Sequence, residues 1–482
     1  MQFQLHDVHF HVLPMQTRIP FRYGIASMTS LPHLFVTVDL EIGGRRQQGL
    51  ASEGLPPKWF TKDPATLFEQ DLAEMLAVIQ NAARIAENAG HRPTRYFSWW
   101  QDLYAEQSAW AALRSQPPLL ANFGVSLLER AVLDGLCKAA RTPLHRLLKS
   151  EALGIDLAAV RPELAGLSLP QVLPESPLPQ VALRHTIGLG DALRAEDSPG
   201  LHDGLPDTLE DSIRAYDLRW FKIKVSGRAE DDLPRLRQIT AVLQKSCPAG
   251  YHTTLDGNEQ FTHLQAFRDF YQTLQGDPAL APLFASLVLI EQPLHRDHAL
   301  NDDVAAAIQG WQDGPGMIID ESDGSLGDLP RALDLGYVGT SHKSCKGIVK
   351  GLANAALLQV RAPGLKRPPV LSGEDLANVG PVSLLQDLAM MALLGIPHVE
   401  RNGHHYFRGL SAYSEAFQQA ALEAHPGFYR RHELGFPTLE VHGGSLDLHS
   451  VNAAPFGCAI PIDAAQFTPL KTWIMSGGLS AL

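Results

Sequence analysis

Cysteine is scarce in this sequence, with four in 482 residues, at positions 137, 247, 345 and 458. They share no close spacing, so they suggest neither a zinc motif nor a disulfide framework, and they point to a reducing compartment. Runs of lysine and arginine are missing and the formal charge is −12, which argues against nucleic acid or an anionic membrane surface as a partner. No apolar run approaches the roughly 18 residues of a membrane-spanning helix. The opening residues, Met1 to Asp7, alternate apolar and polar without the basic start and apolar core of a signal peptide. A soluble cytoplasmic protein is the expectation. The chain also has no internal repeat and no low-complexity tract.

The length predicts two or three domains. Residues 1–150 read as an α+β unit. Phe3, Leu5, Val8, Phe10 and Val12 follow a rough two-residue period, and Leu34 to Glu41 is rich in strand formers, with Gly43-Gly44 as its turn. Leu67, Phe68, Leu72, Met75, Leu76 and Ile79 then mark one face of a helix, and a second helix is expected from about Val125 to Leu148. Residues 151–180, with prolines at 162, 170, 174, 177 and 179, read as a connection. A barrel is expected over 181–435, and 436–482 as a segment returning to the first unit.

What organises the chain is a series of charged residues at the downstream ends of short apolar runs. These are Phe221-Lys222-Ile223-Lys224-Val225, Thr254-Leu255-Asp256-Gly257-Asn258, Leu287 to Glu291 followed by Gln292-Pro293, Met317-Ile318-Ile319-Asp320-Glu321 and Thr340 to Lys343. Runs of three to five apolar residues alternating with helical patterns read as strands of a parallel sheet. Such strands are covered on both faces and have room for charge only where they end. Lys224, Asp256, Glu291, Asp320 and Lys343 follow one another at intervals of 32, 35, 29 and 23 residues, each about one strand, loop and helix. If the sheet closes, these ends converge on one mouth, where a (β/α) barrel carries its chemistry.

Lys222 and Lys224 share one side of their strand, and as close like charges they are expected to lower each other's pKa. Taken alone they read as solvated edge lysines. Three carboxylates on successive strand ends would repel without a dication between them, and oxygen-only ligation favours magnesium or manganese over zinc. Glu321 reads as a supporting or ion-pairing group, Asn258 as a hydrogen-bonding neighbour of Asp256, and Glu259 as structural. Lys346 and Lys350 are expected to be solvated or to face an anion.

Together these motifs resemble the enolase superfamily, and most closely the two-lysine branch that contains the muconate-lactonizing enzymes and dipeptide epimerases. The resemblance implies a modified (β/α)7β barrel under an N-terminal capping domain. It also implies magnesium held by Asp256, Glu291 and Asp320, with manganese as a substitute. Lys224 and Lys343 would then be acid/bases on opposite faces of the substrate, and Lys222 would help neutralise its carboxylate. Glu374, Glu400 and His404, with Asn258 and Glu321, are the further candidates for contact with substrate or metal shell. The sequence departs from the mandelate-racemase branch in having no histidine in Leu371-Ser372-Gly373-Glu374-Asp375, and Lys346-Gly347-Ile348 replaces the usual Gly-Gly after the sixth-strand lysine.

The activity so implied is removal of the proton α to a carboxylate to give a metal-stabilised enediolate, ending in epimerisation, cycloisomerisation or dehydration of a small acid. Arg18, Arg22 and Tyr23 are candidates for gripping a polar substrate. Glu400 to Arg408 is rich in hydrogen-bonding side chains and would suit a hydroxy or sugar acid. The resemblance also makes a homo-oligomer the expectation. Two other classes stay open: a metal-free Schiff-base lyase using Lys224 or Lys343, and a barrel kept for binding alone.

Overall fold

The computed structural model describes residues 1–23, 26–311 and 313–479, apart from the side chains of Tyr23 and Ala26. The first unit opens with a long antiparallel meander, β1 (Gln2–Tyr23), β2 (Ala26–Ile42) and β3 (Arg45–Gly54). Three longer helices cover it: α2 (Phe68–Gly90), α3 (Tyr96–Ala112) and α4 (Pro118–Ala140), with the short α1 (Pro57–Phe60) ahead of them. The apolar face expected from Leu67 to Ile79 is the buried face of α2. Helix α4 begins earlier than the Val125 expected, because Pro118 suits a first helical position, and it ends at Ala140, capped by a left-handed Arg141 ahead of Pro143. Nearly all of α4 is buried, since it lies between the meander and the barrel.

Eight parallel strands form the second unit: Gln180–Ile187, Trp220–Lys224, His252–Asp256, Leu287–Glu291, Met317–Ile319, Gly339–His342, Val370–Gly373 and His398–Arg401. The eighth pairs with the first and closes a barrel. Helices follow the first seven strands, whereas only the short Gly403–Tyr406 turn follows the eighth, giving the (β/α)7β arrangement. Strand register sorts the side chains. Ile223, Leu255 and Ile290 are level with one another and belong to the apolar layer under the outer helices. Their neighbours Lys224, Asp256 and Glu291, also level, take the opposite side and point inward. Two residues lower, Leu289 joins Ile318 and Val338 in a small separate apolar cluster. Trp220 is stacked between His252 and His398, at 4.3 and 4.0 Å. The barrel floor is therefore apolar and the mouth charged.

The segment after residue 435 meets both units. Ser445–Asp447 pairs with the first barrel strand, and Thr468–Pro469 with β1. The four cysteines are buried thiols, and among the described residues no helix is long and apolar enough to cross a membrane.

Candidate active site

Lys222, in the middle of the second strand, places its ammonium among four carboxylates. It lies 2.8 and 2.7 Å from the two oxygens of Glu291, 2.6 Å from Glu374 and 3.1 Å from both Glu400 and Asp256. Lys224 pairs with Asp256 at 2.5 Å. Across the barrel, Lys343 meets Asp320 at 2.7 Å and Lys346 meets the other oxygen of Asp320 at 2.8 Å. Arg184, from the first strand, pairs with Glu374. Five cationic side chains thus face five anionic ones, all buried.

The charge of Lys222 does push Lys224 down as expected, but the net lowering of the two amines is overturned. Burial does push both ammonium groups down, but Asp256 and its carboxylate neighbours outweigh it and hold Lys222 well above, and Lys224 above, the ordinary lysine value. Lys343 is likewise held up by Asp320 against burial. Lys343 and Lys346 in turn draw Asp320 far below the usual carboxylate range, although burial opposes them.

The donor set fits a hard dication, being oxygen throughout, and the Lys222 ammonium already stands as a cation between Asp256 and Glu291. Among the described residues, however, no three histidine, cysteine or acidic side chains are gathered as a metal ion would require. Lysine ammonium groups lie on the oxygens that a metal would use.

Above the charged layer is a narrow cavity of about 40 Å³, partly open to solvent, where polar groups converge under an apolar roof as a small-ligand site requires. Lys222, Lys224, Asp320, Lys343 and Glu400 form its floor. Its roof is apolar and comes largely from the first unit: Phe21, Met28, Pro56 and Trp59, joined by Leu376 and Ala377. The Trp59 ring lies 4.3 Å from the Lys343 ammonium, within cation–π range. Asp375 and Asn402 complete the wall. The Asn402 Oδ1 is buried with no hydrogen-bond partner among the described residues. The roof is clamped from below. Arg296 donates to the carbonyls of Trp59 and Phe60 while pairing with Glu259, and Lys62 pairs with Glu259 and donates to the Asn258 carbonyl.

Several expected residues lie elsewhere. Of the two expectations for Lys346 and Lys350, solvated or facing an anion, the second holds: both are buried and paired, with Asp320 and Asp323. Arg18 is bound to Asp203 and to the carbonyls of Leu205, Pro206 and His405, so it braces the barrel instead of gripping substrate. Arg22 is exposed beside Gly190 in an outer groove, and the Tyr23 side chain lies outside the described residues. His404 does not reach the cavity. Its ring bonds His185 at 3.0 Å and lines a separate space behind the wall. Asn258 donates to Glu321 at 2.9 Å, and burial, followed by the charge of Asp320, pushes Glu321 up to about 7. Glu374 lies beneath the cavity, held by Arg184, Lys222 and Ser372.

Sequence reasoning missed the roof and its clamp. Arg184, Glu129 and Arg130 were missed too, although a Glu-Arg pair set between Leu127-Leu128 and Ala131-Val132-Leu133 was a readable sign of buried charge.

No family model matches this sequence, and no curated protein matches it. Solved structures do. A mandelate racemase/muconate lactonizing protein from Herpetosiphon aurantiacus is 19% identical, with 94% of this chain and 97% of that one covered and a TM-score of 0.57. A dipeptide epimerase from Enterococcus faecalis V583, complexed with Mg and the dipeptide L-Leu-L-Tyr, is 16% identical over 94% and 99% of the two chains, at 0.55. Muconate lactonizing enzyme from Pseudomonas fluorescens, complexed with muconolactone, is 15% identical over 82% and 87%, at 0.54. The chain therefore has the fold of the mandelate racemase and muconate-lactonizing proteins of the enolase superfamily. The solved structures that share this fold include racemases, epimerases and cycloisomerases.

Proposed function

We propose that this chain is an enolase-superfamily enzyme that removes the proton α to the carboxylate of a small acid, with Lys224 and Lys343 as acid/bases on opposite faces and Asp256, Glu291 and Asp320 as magnesium ligands. One observation carries the reading. Two buried lysines from the second and sixth of eight strands face one small cavity, each tied to a carboxylate of the ligand set.

A dication on those carboxylates would supply positive charge to offset the charge that builds on the substrate carboxylate as its α-proton leaves. The chain's own residues do the rest. Asp256 and Asp320 aim the two amines. In the reactive form one lysine has given its proton to solvent; that neutral amine accepts the α-proton, and the other lysine, protonated, returns one on the other face. That sequence gives epimerisation, and loss of a β-group instead would give cycloisomerisation or dehydration. Phe21, Met28, Trp59 and Leu376 make the roof apolar, so it offers no partners to a string of hydroxyls. Of the polar side chains of 400–408 that suggested a sugar acid, Arg401 is engaged on Asp375 and Asp387 and His404 on His185, which leaves Glu400 and Asn402 on the cavity. An acid with an apolar end and a single donor for Asn402 fits better.

The test is α-proton exchange in D2O across muconate-like acids, N-acyl amino acids, dipeptides and sugar acids, with magnesium present. Deuterium should enter an apolar-ended acid, and Lys224→Ala and Lys343→Ala should each lower the rate about 100-fold or more. Exchange that is indifferent to EDTA, with borohydride trapping of a lysine adduct, would instead establish the Schiff-base reading.

A further inference from the structure

Lys343 is followed at once by a tight turn, Ser344–Lys346, then Gly347, then the helix Ile348–Arg361. The first N–H groups of any helix have no partner within it, and the residue that usually supplies a side-chain oxygen there is here a glycine. Gly347 has φ +108°, a conformation that other residues rarely adopt, and a Cβ on it would come within 3.4 Å of the Glu129 Oε2. The missing acceptor comes from the other unit of the fold. Glu129 of α4, fully buried, accepts the N–H of Ile348 at 2.8 Å on one oxygen and that of Val349 at 2.7 Å on the other. The hydroxyl of Tyr96 donates to it at 3.2 Å. A carboxylate there is also favoured by the partial positive charge of the helix start.

Helix α4 grips the neighbouring loop too, with Asn122 donating to the Gly324 carbonyl at 2.6 Å, four residues past Asp320. Lys224 lies on the far side of the barrel and shares none of these bonds.

We infer that Glu129 is a positioning residue for Lys343: by capping the helix that follows, it sets where that lysine stands against the substrate. This rests on the two-base reading above. The consequence is selective by face, since loosening the turn displaces one base and leaves the other.

The test compares α-proton exchange of the two enantiomers of an acid that the enzyme accepts, using Lys343→Ala to identify the enantiomer served by Lys343. In Glu129→Ala, exchange of that enantiomer should fall ten- to hundredfold, the scale of about 1 Å of misplacement, while the other stays within about twofold. Glu129→Gln, which keeps one acceptor oxygen, should recover part of the loss, and it carries the comparison if the alanine variant does not fold. Equal losses for both enantiomers would overturn the inference. Amide hydrogen exchange by mass spectrometry gives a readout free of activity: the peptide across 343–352 should lose protection in either variant and that across 222–226 should not. Unchanged protection at 343–352 overturns the inference whatever the activity. If the wild type exchanges neither enantiomer while that peptide opens, the two-base reading fails and the hold of Glu129 on the turn stands.

Discussion

Single buried side chains set much of how this molecule responds to its surroundings. His33 is 2% exposed, and its ring lies 3.1 Å from the Ser52 hydroxyl. Burial first, and the charge of Arg130 second, push it down to about 3 from an ordinary 6.5. Above pH 6.5 it is neutral folded or unfolded and contributes no pH dependence. Below that, the unfolded chain takes up a proton that the folded chain refuses, so stability falls as pH drops toward about 3, by roughly 1.4 kcal/mol per unit at full slope. His33→Gln removes that proton. Between pH 6.5 and about 5.5, urea unfolding should show the wild type losing about 1 kcal/mol more than the variant, and identical losses would refute the assignment. The same logic of burial against partner explains the lysines. In both Lys222 and Lys224 the sequence showed like charges side by side, whereas their behaviour is set by carboxylates arriving from other strands.

At the scale of elements, the roof of the cavity is a short helix with little core of its own. Helix α1 has four residues and no side-chain cap, so its position depends on what holds it from outside. Arg296 supplies two bonds to its carbonyls and an ion pair with the buried Glu259. Arg296→Ala should therefore raise KM about tenfold, because Trp59 no longer closes over the floor, and lower kcat much less. It should also lower Tm, since Glu259 keeps only Lys62 and a buried charge losing a partner costs on the order of 3 kcal/mol. Steady-state kinetics and a thermal melt on one preparation check both, and an unchanged KM would remove the clamp from the account. The strands tell a complementary story. Their apolar faces and charged ends were legible because register in a closed parallel sheet repeats the same inward and outward alternation on every strand.

For the whole molecule, a ligand that binds only the folded barrel should stabilise it. Magnesium at about 100 times its dissociation constant would add ~2.7 kcal/mol and raise Tm, EDTA would reverse the rise, and Asp320→Asn would abolish it. A Tm blind to magnesium in the wild type would count against the assigned ligands. How much of this was legible divides along a physical line. The parallel strands, the α+β first unit and the series Lys224, Asp256, Glu291, Asp320 and Lys343 could be read directly, because each is a local pattern, such as a short apolar run with a charge where it stops; closure of the barrel under a cap came from the resemblance. The apolar roof could not be read, since Phe21, Met28 and Trp59 look like ordinary core residues until the two units meet. Lys346, Lys350 and Arg18 give no sign of their partners in sequence because those are 26, 27 and 185 residues away. Sequence alone determined which charges exist and at which strand ends. Tertiary structure decided which charges neutralise one another and what covers them, because ion pairing and burial depend on separations in space that the order of residues does not contain.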